Sequence, residues 1–150
     1  MVANTAPIYG LTPNIGNGTS NAIVGSSANT ATDGTGANTY QIFAAGADGS
    51  YVYKVMFRAV STVAATVARV WFLNDTGTFT AGTTNTAAKT LLLGEITLAA
   101  FTASNTLASP AYELPINIPI PASTKILVSF GTSTGAGTTG YNPVTVAMDY

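Results

Sequence analysis

The residues most open to a chemical reading in this chain are six at the end of one loop. Gly135-Ala136-Gly137-Thr138-Thr139-Gly140 fits the letters of a dinucleotide-binding GxGxxG. That motif works when the glycines open a helix whose N-terminus faces a pyrophosphate. Here Tyr141-Asn142-Pro143 and a β-branched run follow, so the spacing predicts an inter-strand loop and no cofactor site. Nucleophilic catalysis needs a base beside a hydroxyl or thiol, and the chain has no histidine and no cysteine. No spacing pairs one of Lys54, Lys89 or Lys125 with a particular serine. Of the six acids, Asp48 and Asp75 are explained by turn chemistry. The others form no evident glycosidase pair. Calcium could take oxygens from Asp33–Asn38 or from Asn74-Asp75, but neither stretch follows the EF-hand pattern, and both read as turns. The expectation is a protein that is not an enzyme, with no catalytic residue, no cofactor and no metal ligand.

Composition narrows the partners. Charged residues make up 7% of the 150, against about 25% in an ordinary soluble protein. Five Lys/Arg and six Asp/Glu cannot build a basic stripe, which excludes phosphate-driven nucleic-acid binding. No apolar run approaches a bilayer span, and the first residues lack the charge and apolar core of a secretion signal. The chain is 47% hydrophobic with positive mean hydropathy, so it folds. Its surface must then be Thr, Ala, Ser, Asn and Gly. A near-neutral surface does little to oppose association, which suits a subunit packed against neighbours.

The elements are strands. Residues 39–150 alternate apolar and polar positions in short runs separated by Gly/Asn/Thr-rich loops, and no helical period survives inspection. Asp48-Gly49 predicts a two-residue hairpin in which Ala47 faces Ser50 and Thr39 faces Arg58. It would place Tyr40, Ile42, Ala44, Tyr53, Val55 and Phe57 on one apolar face. In TVARVWFLN, Ala68, Val70 and Phe72 are expected in the core, with Trp71 open to either face. In LLLGEITL, Ile96 and Leu98 point inward and Glu95 outward. ELPINIPIP, with proline on one face, predicts an edge strand. Val144, Val146 and Met148 share one face of the last strand. The expected fold is all-β, an antiparallel two-sheet sandwich and most simply an eight-stranded jelly roll at 39–150. Residues 1–38, low in complexity with short apolar pieces at Ile8–Leu11 and Ala22–Val24, form an irregular, extended N-terminal arm.

ARVWFLNDTG, LLLGEITL and above all YELPINIPIPASTKILVSFG with the terminal VTVAMDY resemble the small jelly-roll head decoration, or cement, proteins of tailed bacteriophages. The resemblance implies a virion structural protein, made in the host cytoplasm and bound to the capsid exterior. It would be a homo-oligomer, commonly a trimer, that bridges and stabilises major capsid protein subunits without nucleic acid or membrane as partner. Candidate interface residues are Ile8, Tyr9 and Leu11 in the arm, Phe79 and Tyr141 in loops, and Arg58 and Arg69 on strands. The alternative is a receptor- or glycan-binding tip or fibre module of a virion, with Trp71, Tyr112 or Tyr141 as stacking platforms.

Overall fold

The computed structural model describes residues 10–16, 27–135 and 139–150. Eight strands follow in order: β1 (Thr12–Gly16), β2 (Thr39–Ala44), β3 (Ser50–Ala59), β4 (Thr66–Leu73), β5 (Thr90–Leu98), β6 (Ala111–Ile120), β7 (Lys125–Phe130) and β8 (Tyr141–Asp149). No helix occurs among the described residues. Two four-stranded antiparallel sheets stack face to face, one ordered β1-β8-β3-β6 and the other β2-β7-β4-β5. The pairs β1·β8, β2·β7, β3·β6 and β4·β5 nest like the rungs of one long hairpin with the β4–β5 loop at its tip. Rolling that hairpin brings β3 against β8 and β4 against β7, which closes both sheets. The fold is a jelly roll.

This topology corrects the expected β2–β3 hairpin. Ala47-Asp48 do form a turn, closed by the Gly49 amide donating to the Gly46 carbonyl at 3.2 Å. The turn carries the chain from one sheet to the other, however, so β2 pairs with β7 and β3 with β6 and β8. Gly49 is required there: its φ is +98°, and a Cβ would lie 2.8 Å from the Ile120 carbonyl oxygen. Gly49 supplies the left-handed residue of the turn, but Asp-Gly does not choose which strand pairs with which.

Between the sheets lies the main core. Phe57 and Phe130 meet edge to face, 6.4 Å between centroids, amid Ile42, Val52, Val55 and Val128. Irregularities change the side-chain phase at three places. In β3 the inward set switches from Ser50 and Val52 to Val55, Phe57 and Ala59, with the register shift at Tyr53. Tyr53 therefore leaves the core face on which strict alternation places it and joins Tyr51 outside. Asn117 of β6 lies against the same step of the ladder with a φ of 53°, a conformation Asn tolerates better than most residues. Shifts also occur between Gln41 and Phe43 and between Val70 and Trp71. β6 is an edge strand, as its prolines require, with Leu114, Ile116 and Ile118 half-buried against the core.

Candidate interaction surfaces

The two outer faces of the sandwich differ. On the β2-β7-β4-β5 sheet, β7 lies between β2 and β4 and all six of its residues are buried. Its outward side chains are covered by the chain's own loops. Trp71, Leu73 and Leu127 make a second apolar cluster with Phe79 packed against it. The Trp71 indole N–H donates to Ser129 Oγ at 2.9 Å, which allows the ring to be only 2% exposed. Lys125, also buried, donates from Nζ to the carbonyls of Asp75 and Ser123 at 2.7 and 3.1 Å.

Two buried asparagines fix the covering loops. Asn29 Nδ2 donates to Thr39 Oγ1 and to the Thr35 carbonyl, both at 2.8 Å, while its own N–H bonds the Phe130 carbonyl. Asn85 Nδ2 bridges to the carbonyls of Gly34 and Gly36 at 2.8 and 3.0 Å. Residues 27–38, placed in the arm on sequence grounds, are thus tied to the sandwich, and β1 within the same segment is paired to β8. A low-complexity composition conceals such ties, because one buried amide in a run of Asn, Thr and Gly looks like its neighbours.

Among the described residues, no loop lies across the β1-β8-β3-β6 sheet as loops lie across the other. On β8, Tyr141, Pro143, Thr145 and Ala147 point inward and are buried, so Val144, Val146 and Met148 lie outside and half-buried. Register places Ile15 beside Val146, Pro13 beside Met148, Tyr51 across from Met148 and Met56 across from Val144. Tyr51 and Tyr53 stand with ring centroids 4.9 Å apart, and Pro115 and Pro119 continue the face onto β6. Its described charges are the Lys54–Glu113 pair at 2.8 Å and the exposed Arg58. Among the described residues this is a four-strand apolar face with few charges, touched ahead of β1 only by Gly10, where a Cβ would lie 2.8 Å from the Met148 Cβ.

The expected site residues divide accordingly. Ile8 and Tyr9 lie outside the described residues. Leu11 is 76% exposed and leads into β1 at the rim of the bare face; its N–H bonds the Asp149 carbonyl at 2.7 Å. Arg58 is on that face. Arg69 is on the opposite, covered one, where Nε holds Glu95 at 2.6 Å and Nη1 reaches the Asn29 carbonyl at 3.5 Å. Phe79 is half-buried as part of the Trp71 cluster. Tyr141 must be corrected: it opens β8, is 0% exposed, and belongs to the core. Trp71 and Tyr141 consequently cannot serve as sugar-stacking platforms, and Tyr112 packs partly against the core. The outward exposure of the apolar stripe Val144-Val146-Met148 and of the Tyr51–Tyr53 pair is not predicted by the sequence. The alternation of β8 was visible, but not which of its two faces is buried.

Tyr112 and Tyr141 stack edge to face at 6.1 Å and grip one residue at the end of β5. The Ala99 N–H donates to the Tyr112 hydroxyl at 3.1 Å, and the Tyr141 hydroxyl donates to the Ala99 carbonyl. Burial, with Tyr112 as a lesser cause, pushes the Tyr141 phenol from 10.0 up to about 12. The folded state thus holds this proton after the unfolded chain would lose it. Its stabilising effect is complete below pH ~10 and is lost as pH rises through about 12. Urea midpoints measured from pH 9 to 11.5 should fall for the parent and fall less for Tyr141→Phe. Equal slopes would contradict the assignment.

No metal centre is evident. Among the described residues no three Asp, Glu, His or Cys side chains gather. Asp33 and Asp75 serve their turns. The Thr35 hydroxyl and N–H hold the Asp33 carboxyl below its usual range, and Lys89, with the Gly77 N–H, does the same for Asp75. Comparison with protein-family models, curated proteins and solved structures finds no match.

Proposed function

We propose that the chain is a non-enzymatic decoration or cement protein of a phage head, docking on major capsid protein subunits through the outer face of β1-β8-β3-β6. The observation that carries this reading is the contrast between the two outer faces. One is covered by loops held with buried asparagines; the other presents Val144, Val146, Met148, Tyr51 and Tyr53. An apolar patch left on a folded domain marks an interaction site, and a rigid two-sheet scaffold keeps it flat and ready without ordering cost. Low charge fits a protein that works by covering area at many symmetry-related positions. Stabilisation then follows from mass action, since a ligand that binds only the assembled lattice opposes its opening. By resemblance the partner is the capsid exterior, and self-association accompanies it.

Co-sedimentation tests the reading. Purified protein should pellet with undecorated heads to a saturating ratio and raise the temperature at which they release DNA. Failure to pellet, with saturable binding to a glycan array instead, would move the protein to the receptor-binding alternative.

A further inference from the structure

A sheet edge is a template for another strand, and proteins blunt it with short strands, proline, charge or bulges. Three of the four edges described here are blunted. β1 has five residues and contains Pro13. β2 has six, with its register shift between Gln41 and Phe43. β6 carries Pro115 and Pro119, each without an N–H. β5 is blunted least: nine residues, no proline, Glu95 as its single charge, and one bulged residue at Leu93. Leu91 and Leu92 on it are 61% and 42% exposed.

Beside the first half of this edge the two sheets part. An apolar groove of about 430 Å³ opens there, lined mainly by Phe72, Leu91, Leu93, Ile118, Ile120 and Pro121, with no charged side chain. It ends where the sheets pinch together: a Cβ on Gly94 would stand 3.2 Å from Leu114. An occupant of both features must bring backbone donors and acceptors for the edge and uncharged aliphatic side chains for the groove.

We propose that the occupant is a second copy of this chain, the two β5 strands pairing antiparallel about a two-fold axis at Leu92. That register sets Leu91 opposite Leu93 of the second copy, both on the groove side, so each copy's leucines close the other's groove. Beyond the irregular Leu93, Glu95 arrives within a residue of Lys89 of the second copy; each already has a partner in its own chain, Arg69 and Asp75, so the seam meets no like charge at either rim. A net charge of −1 offers little repulsion between copies. Because the same strand serves on both sides, the contact closes at two copies and does not propagate into a fibre. It gives a dimer in place of the trimer that the family resemblance implies, and it is independent of the capsid reading.

Sedimentation velocity on the full chain over a dilution series tests it. The parent should run at twice 15.2 kDa. Leu91→Glu, a change at an exposed position, should shift it to monomer with the circular dichroism unchanged. The chain has no cysteine, so Leu92→Cys supplies one thiol at the axis. Diamide should link it into a covalent dimer much faster than it links Thr97→Cys, which the axis keeps apart from its mate. A parent that stays monomeric, a trimer, an oligomer that Leu91→Glu leaves intact, or equal linking of the two cysteine variants would each overturn the proposal.

Discussion

Trp71→Ala is expected to destabilise the protein by about 3–5 kcal/mol, the range for deleting a large buried aromatic. Trp71 sits on the outer side of its sheet, where a tryptophan is easily taken for a docking anchor, yet it is as buried as the core between the sheets. Removing it empties the space beneath Phe79 and leaves Ser129 Oγ without its indole donor, on a central strand that is buried throughout. The loss should be visible as a lower urea midpoint. Phe79→Ala, at a half-buried position over the same cluster, should cost clearly less. If Trp71→Ala instead left the midpoint within ~0.5 kcal/mol of the parent and abolished binding to heads, the covered face would be the docking face.

Val144→Glu should have the opposite signature: little effect on folding and a loss of about 100-fold or more in affinity for heads. Val144 lies outside on β8, across from Met56, where a glutamate can remain solvated in the free protein. Docked, the same carboxylate would be taken from water into an apolar contact. Such a charge typically costs several kcal/mol, and 2.7 kcal/mol already corresponds to a factor of about 100. The comparison variant Thr97→Glu, on the edge strand of the other sheet, should bind as the parent does. Equal binding by Val144→Glu and the parent, each folded, would remove this face from the interface.

Much of the fold is legible in the residues because alternation survives in short runs. β4, β5, β6 and β7 fall where their apolar positions predict, and the prolines of β6 place it at an edge for a reason that needs no structure. Register and sheet membership were not legible, because they depend on events that sequence pattern does not mark. A single extra residue at Tyr53 reverses the phase of β3. An Asp-Gly turn looks the same whether it closes a hairpin or crosses between sheets. For the interaction surface, the stripe on β8 was visible while its direction was not, because Tyr141, Pro143, Thr145 and Ala147 are also a plausible buried set and prove to be the buried one. Trp71 shows the same ambiguity from the other side, since what covers it is a loop whose composition reads as exposed.

Two of the three methionines, Met56 and Met148, lie on the bare face, which provides a direct test of the docking reading with the unmodified protein. Peroxide converts accessible methionine to its sulfoxide, and peptide mass spectrometry follows each site separately. Oxidation of Met56 and Met148 should proceed in the free protein and slow at least about tenfold when the protein is bound to heads. Unchanged rates at both residues in the bound state would contradict docking through β1-β8-β3-β6.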